Sequence, residues 1–195
     1  MSEKITPAAL QAMKREGRKI AAVVCWDSNT AEVADVAGID IVSVGDSAAP
    51  SLDELLVFCR AVRRGVTRAL VSCDLPAPSV EAARLLVAAG ADMVKVEGID
   101  NVAAISAAGI PVFAQISDAS EAKPMEDAGA ALLDFRHSGP QEGARVVEAV
   151  SIPVLGGLDG GPWLDGRVRA IHRLLDDPIA AYIEDVRAGR PVKGD

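Results

Sequence analysis

The stretch VAAGADMVKV, from Val87 to Val96, contains the pattern that decides the fold. A helix-like segment ends at an Ala-Gly pair, and a short apolar run follows at once. The same pattern occurs in DVAGIDIVSV (Asp35 to Val44), SAAGIPVFAQI (Ser106 to Ile116) and EDAGAALLDF (Glu126 to Phe135). Its glycines fit the left-handed position just past a helix, which only glycine adopts cheaply. The repeats therefore predict turns from helix to strand at Gly38, Gly90, Gly109 and Gly129.

Further apolar runs extend the series of strands. They are KIAAVVCWD (Lys19 to Asp27), RALVSCDLP (Arg68 to Pro76) and IPVLGGLDG (Ile152 to Gly160). An eighth run, RVRAIHRLL (Arg167 to Leu175), fits a strand or a helix by its spacing. Strands that alternate with helices predict a parallel sheet with crossover helices.

Seven or eight such units favour a (β/α)8 barrel, formed as a single domain over residues 1–195. A doubly wound open sheet is the alternative, although no GxGxxG motif follows the first strand to support its dinucleotide-binding form. The tail from Asp176 onward predicts one amphipathic helix that ends at Gly189 and Pro191.

Composition limits the classes of function. Half of the residues are hydrophobic and 3% are aromatic, so Ala, Val, Leu and Ile must build the core. The net charge of -8 argues against a nucleic-acid or anionic membrane surface, because both need a basic face. A small-molecule partner is therefore expected.

The cysteines indicate a reducing compartment. Cys25, Cys59 and Cys73 have no CxxC spacing and leave one thiol over in any disulfide scheme. The N-terminal residues are polar, and no apolar run is long enough to cross a bilayer. A cytoplasmic protein with no membrane partner is expected.

Polar side chains follow the predicted strands where each strand ends. Asp27 follows the first strand, Asp46 and Ser47 follow the second, Asp74 ends the third, and Glu97 follows the fourth. Because the carboxyl ends of parallel strands share one rim, these groups are expected to converge. Oxygen ligands of this kind suit Mg²⁺, which predicts a metal site at Asp46, Asp74 and Glu97. The alternative for any one of the aspartates is that it caps the next helix.

Lys95 lies two residues before Glu97, so both side chains share one face of the fourth strand. A lysine beside carboxylates could bind the carboxylate of a substrate. The alternative is a structural ion pair.

These residues carry a family resemblance. VGDS (Val44 to Ser47), RAVRRG (Arg60 to Gly65), DLP (Asp74 to Pro76) and AGADMVKVEG (Ala89 to Gly98) resemble the signature stretches of the ketopantoate hydroxymethyltransferase family. The resemblance covers nearly the whole chain, with gaps. It implies a (β/α)8 barrel of the phosphoenolpyruvate mutase and isocitrate lyase type.

The resemblance also implies a chemistry. It assigns Mg²⁺ to Asp46 and Asp74, with Glu97 assisting through water, and it places Ser47 and Lys95 on a 2-oxo acid. Asp27 is a further candidate for substrate binding. In the family, the enolate of the 2-oxo acid attacks the one-carbon unit of 5,10-methylenetetrahydrofolate.

Several features depart from the family. The segments after VGDS, DLP and IPVFAQIS are short, and Gln115 stands about where the family has a histidine. Arg136 takes the position of a glutamate that is thought to act in proton transfer, and an arginine cannot serve as a general base near neutral pH. Arg136 could instead hold an anionic substrate group, or it could pair with Asp134 or with the carboxylate cluster in a site that no longer needs a metal. His137 is the first candidate for the missing base, and His172 is expected to be structural.

The leading hypothesis is a homo-oligomeric enzyme of a specialised pathway that performs Mg²⁺-dependent aldol, hydroxymethyl-transfer or related enolate chemistry on a 2-oxo acid. Its candidate catalytic residues are Lys95, Arg136 and His137. The alternative is a repurposed homologue, either a binding or assembly subunit or a C–C lyase of the same superfamily.

Overall fold

The chain folds into a closed barrel of eight parallel strands. The computed structural model describes residues 3–45, 51–136, 138–157 and 161–188. The strands are β1 (Ile20–Val24), β2 (Ile41–Val44), β3 (Leu70–Asp74), β4 (Met93–Val96), β5 (Val112–Ile116), β6 (Leu132–Phe135), β7 (Val154–Gly156) and β8 (Gly166–Ala170). Each strand pairs with the next in the chain, and β8 pairs with β1 to close the ring. This order excludes the doubly wound alternative.

Helices alternate with the strands. They are α1 (Pro7–Arg15), α2 (Ser28–Val36), α3 (Leu52–Gly65), α4 (Val80–Ala88), α5 (Ile99–Ala107), α6 (Ala122–Asp127), α7 (Pro140–Ala149) and α8 (Asp176–Arg187). Short polar residues begin several of them, because a side-chain oxygen accepts hydrogen bonds from the free N–H groups of the first turn. Ser51 and Glu54 form a reciprocal capping box at the start of α3.

The turn glycines confirm the repeat pattern. Gly38, Gly90, Gly109 and Gly129 have φ angles of 94°, 115°, 79° and 98°. Each follows a helix and precedes a strand, as the Ala-Gly pairs predicted.

Apolar side chains fill two layers. The inner layer lies inside the barrel, where Leu70, Met93 and Phe113 meet Leu10 and Met13 of α1. Since these strand residues lie at or near the amino ends of their strands, α1 closes that end of the barrel, which we call the lower rim. The outer layer lies between strands and helices and contains the buried free thiols of Cys25, Cys59 and Cys73. Burial raises the pKa of the Cys25 thiol to about 11, so this thiol stays protonated at neutral pH.

Hydrogen bonds to aspartate side chains join neighbouring strands at the lower rim. Oδ2 of Asp40, before β2, accepts the Ala21 N–H of β1 at 3.0 Å. Asp92, before β4, accepts from Val71 N of β3 at 3.0 Å, and Asp165, before β8, accepts from Val154 N of β7 at 2.9 Å. These carboxylates have a structural role, since they satisfy backbone donors at the ends of neighbouring strands.

The outer face of β1 and β8 lies open. A groove of about 650 Å³ runs over it, lined by Ala21, Leu164, Arg167, Arg169 and Leu174 among others. The eighth predicted run is a strand in its first part and a 3₁₀ turn, Ile171–Leu174, in its second.

Helix α8 follows that turn and carries exposed apolar side chains. Ile179, Tyr182 and Ile183 are 53%, 56% and 40% exposed. Within the described part of the chain, none of the helices has the length and apolar character needed to cross a bilayer.

Candidate active site

Asp74 stands at the carboxyl end of β3, on the upper rim of the barrel. Its carboxylate lies against Gly45, the residue that follows β2: a Cβ placed on Gly45 would come 2.3 Å from Asp74 Oδ2. The φ angle of Gly45 is 148°, a backbone conformation that residues with a side chain rarely adopt. Only glycine therefore allows the Asp74 carboxylate to reach over the end of β2.

Glu97 follows β4 on the same rim. One of its carboxylate oxygens accepts a hydrogen bond from Nε2 of Gln115 on β5. Asp74 is the register partner of Lys95, two residues before Glu97, so the two acids come from neighbouring strand ends. Gln115 thus links the β4 and β5 ends of the rim.

Lys95 enters the barrel below this rim and pairs with Asp134 of β6. Their side chains are 8% and 1% exposed. The Lys95 ammonium also lies 5.1 Å from the centre of the Phe113 ring, a cation–π distance. The structural ion pair that the sequence left open for Lys95 is therefore present.

Among the described residues, three groups donate to the Asp134 carboxylate. Besides Lys95, the Arg136 Nε donates to Oδ2 at 3.2 Å, and the Gly157 N–H donates to Oδ1 at 3.1 Å. Burial alone would raise the pKa of Asp134, but the charges of Lys95 and Arg136 and these hydrogen bonds outweigh it and hold the pKa below its ordinary value. The carboxylate therefore stays ionised at neutral pH, and the pairing with Asp134, one of the alternatives that the sequence left open for Arg136, is present.

Ser72 lies below Asp74 on the same face of β3, since residues two apart in a strand share a face. It is fully buried, and within the described residues its hydroxyl has no hydrogen-bond partner. The sequence alone did not single out Ser72 as a candidate site residue, although its position two residues before Asp74 places both side chains on the same face of β3.

Asp27 follows β1 and caps α2. Its Oδ1 accepts the N–H groups of Asn29 and Thr30, both at 2.9 Å, and its Oδ2 accepts the Thr30 hydroxyl at 2.8 Å. The hydrogen bonds from Thr30 and Asn29 lower the pKa of Asp27. The Asp27 carboxylate therefore caps α2, which is the alternative that the sequence offered for any one of the aspartates at the strand ends. Beside it, Trp26 stacks on His172 with ring centres 5.9 Å apart.

Three predicted site residues, Asp46, Ser47 and His137, lie outside the described residues. Across the described ranges, no three His, Cys, Asp or Glu side chains lie close enough together to hold a metal ion. Lys95, Asp134 and Arg136 are brought together directly, and Asp74 and Glu97 share the rim above them.

Solved structures with the same fold identify the type of barrel. The chain superposes on phosphoenolpyruvate phosphomutase from Streptomyces platensis subsp. rosaceus with a TM-score of 0.70 and 17% identity, covering 95% of this chain and 88% of that one. It superposes on 2,3-dimethylmalate lyase with a TM-score of 0.69 and 14% identity, covering 94% and 87%. The latter is a member of the PEP mutase/isocitrate lyase superfamily. The fold is the barrel of that type, as predicted.

Sequence comparison then gives the family. Residues 4–119 match the family model of ketopantoate hydroxymethyltransferase. The chain is 34% identical to 3-methyl-2-oxobutanoate hydroxymethyltransferase from a Cyanothece species over 213 aligned positions, which cover 84% of this chain and 81% of the relative. The chain belongs to the ketopantoate hydroxymethyltransferase family. The matched region includes Asp74, Lys95 and Glu97 and ends before β6, the strand of Asp134.

Proposed function

We propose that the protein is an enzyme of a specialised pathway that performs Mg²⁺-dependent aldol, hydroxymethyl-transfer or related enolate chemistry on a small 2-oxo acid. One observation carries the proposal. In a member of this family, Asp74 and Glu97 lie on neighbouring strand ends at the rim where (β/α)8 barrels bind their substrates, and Lys95 lies just below them inside the barrel.

The donor set fits Mg²⁺, because it offers carboxylate oxygens and no thiol or imidazole. We assign the ion to Asp46 and Asp74, with Glu97 assisting through water. The contact between Gly45 and Asp74 supports the fit, since a side chain on Gly45 would fill the space beside the carboxylate. A cation bound here would polarise the ketone of the substrate and stabilise an enolate.

The remaining roles belong to the chain itself. Ser47, Lys95 and the exposed Asp27, which also caps α2, are the proposed substrate contacts, with Lys95 supplying positive charge from inside the barrel. His137 is the proposed general base, because Arg136 stays protonated near neutral pH. We propose 5,10-methylenetetrahydrofolate as the one-carbon donor, as the resemblance to the family implies.

Proton exchange tests this proposal without requiring a donor. With Mg²⁺ in deuterated water, the protein should exchange the C3 protons of at least one small 2-oxo acid, measured by proton NMR. EDTA should abolish the exchange, and adding the folate donor should convert the exchanging substrate to its hydroxymethyl product. Absence of exchange with every 2-oxo acid of a panel would refute the enolate chemistry.

Arg136 favours a second candidate, a repurposed homologue, because it replaces the proton-transfer glutamate expected from the family. A C–C lyase would cleave 2-hydroxy acids to 2-oxo products, which chromatography detects. A non-catalytic subunit would bind ligand and do neither.

We further propose that the protein is a cytoplasmic homo-oligomer. The open groove over β1 and β8 and the exposed Ile179, Tyr182 and Ile183 of α8 support this, because a monomer would leave these side chains and the apolar part of the groove in water. Light scattering should give a multiple of the chain mass, and Ile179→Glu should lower it. A monomer mass at micromolar concentration would overturn the proposal.

A further inference from the structure

We propose that Arg136 binds a second carboxylate on the substrate, so that the preferred substrate is a 2-oxo dicarboxylic acid. The inference rests on the proposed function, because it names the substrate class of the same site. Its physical basis is the way Asp134 holds Arg136 at one edge and leaves the other edge of the guanidinium available.

The guanidinium of Arg136 is held through its Nε, which donates a hydrogen bond to Asp134. The Asp134 carboxylate is itself fixed by Lys95 and by the Gly157 N–H. A guanidinium carries five N–H donors, four of them on its terminal nitrogens. Within the described part of the chain, neither terminal nitrogen of Arg136 has a hydrogen-bond partner. The side chain is 27% exposed, so a ligand in the barrel mouth can reach these donors.

Charge also favours an anion at this position. Asp134 supplies one negative charge to two cations, because Oδ2 is shared by Lys95 and Arg136. Lys95 is almost fully buried against Asp134 and Phe113, which leaves Arg136 as the cation of the cluster that solvent reaches. The three groups Lys95, Asp134 and Arg136 therefore carry a net charge of one positive unit, which favours a second carboxylate at Arg136.

The position of β6 determines which end of the substrate Arg136 meets. In a ring of eight strands, β6 lies opposite β2. The residues proposed to hold Mg²⁺ and the 2-oxo acid group follow β2, β3 and β4. Arg136 therefore lies across the barrel from the residues that follow β2, and it would meet the other end of a substrate whose 2-oxo acid group binds on the β2 side.

The planar fork of a guanidinium matches a carboxylate through two parallel hydrogen bonds. An apolar substrate end would instead leave these donors without partners and remove water from them, which costs binding free energy. Arg136 is therefore a specificity-determining residue that favours a charged substrate end over an apolar one.

Binding of two ligands of the same shape tests the inference. Calorimetry in the presence of Mg²⁺ would compare 2-oxoglutarate with 5-methyl-2-oxohexanoate, in which two methyl groups replace the distal carboxylate oxygens. The wild type should bind 2-oxoglutarate about 10- to 100-fold more tightly, the range of a charge-assisted hydrogen-bonded contact. Arg136→Gln should reduce the preference to less than about threefold. Arg84→Gln, an exposed change on α4, should retain it.

A second variant covers the case in which Arg136→Gln does not fold. Arg136→Lys retains the charge but loses the fork, so it should keep a preference several-fold smaller than that of the wild type. Equal binding of both ligands by the wild type, or a preference that survives both substitutions, would overturn the inference.

Proton exchange at C3 of the same ligands separates this inference from the proposed function. Tighter binding of 2-oxoglutarate that depends on Arg136, without exchange of either ligand, would refute the enolate chemistry and retain the recognition of a second carboxylate. Exchange of both ligands without a binding preference would refute that recognition and retain the chemistry.

Discussion

Lys95 and Asp134 form a buried ion pair across the inside of the barrel, although β4 and β6 are not neighbours in the sheet. The pair reaches over β5, whose Phe113 ring lies beside the lysine ammonium. It connects the wall that carries the proposed metal ligands to the strand that carries Arg136.

Breaking this pair should destabilise the fold strongly. Asp134→Leu leaves the buried Lys95 ammonium without its partner and should lower the free energy of unfolding by about 3–5 kcal/mol. Lys95→Met should cost less, because Asp134 keeps its contact with Arg136. The double variant should lose clearly less than the sum of the two. Urea unfolding of all four proteins measures this coupling, and strictly additive losses would contradict it.

Gly45 should be required for the position of Asp74. Gly45→Ala places a methyl group against the carboxylate and should lower C3 proton exchange by about tenfold or more, as expected when a misplaced catalytic group costs one to two orders of magnitude. Gly109→Ala is the matched control, because Gly109 also has a positive φ but no atom lies within 4 Å of its Cβ position. Both variants should lose stability in urea, and only Gly45→Ala should lose exchange. Equal exchange by the two variants would exclude a specific role for Gly45.

Asp74 should be necessary for metal binding. Asp74→Asn removes the carboxylate charge and should weaken Mg²⁺ binding by about 100-fold or more, a larger effect than changing a partner of a ligand. Calorimetric titration with Mg²⁺ alone measures this. Asp100→Asn, an exposed change in the first turn of α5, should leave the affinity near that of the wild type. Unchanged affinity in Asp74→Asn would exclude it as a ligand.

Glu126 should make the fold sensitive to acid. Its carboxylate accepts the N–H and hydroxyl of Ser151, both from the segment before β7, and it pairs with Lys123. Burial opposes ionisation, but the bonds to Lys123 and Ser151 lower the pKa of Glu126 from 4.5 to about 2. A lowered folded pKa means that Glu126 stabilises the protein above pH 4.5 and that this contribution is lost as the pH falls toward 2.

Urea unfolding across this pH range tests the assignment. Glu126→Gln should be less stable than the wild type at neutral pH and should lose less stability on acidification. Glu148→Gln, an exposed change on α7, should behave like the wild type. Identical pH profiles for the wild type and Glu126→Gln would contradict the prediction.

Most of the barrel could be predicted because its signals are local. A residue such as Gly90 permits the left-handed turn wherever a helix passes into a strand, so the Ala-Gly pairs located four strands. The run from Arg167 was ambiguous for a physical reason: Arg167 and Arg169 face the open groove, so β8 lacks the apolar outer face that a covering helix imposes.

The site was only partly predictable because its contacts join distant strands. The rim positions of Asp74 and Glu97 follow from the rule for the carboxyl ends of strands. The choice of Lys95 for Asp134 depends on closure of the barrel, which brings β4 and β6 within reach of each other. The cap at Asp27 could be proposed from sequence, because the residue between a strand and a helix is a common capping position, but its hydrogen bonds to Asn29 and Thr30 are a property of the folded chain.

The aspartates of the lower rim have a consequence for how this barrel can change. Asp40, Asp92 and Asp165 bind adjacent strands at the end away from the proposed chemistry, so these contacts do not involve the segments above the upper rim. We therefore expect those segments to tolerate changes in length while the strands stay in register. A longer loop grafted between β3 and α4 should therefore alter which molecules enter the mouth without loosening the scaffold below it.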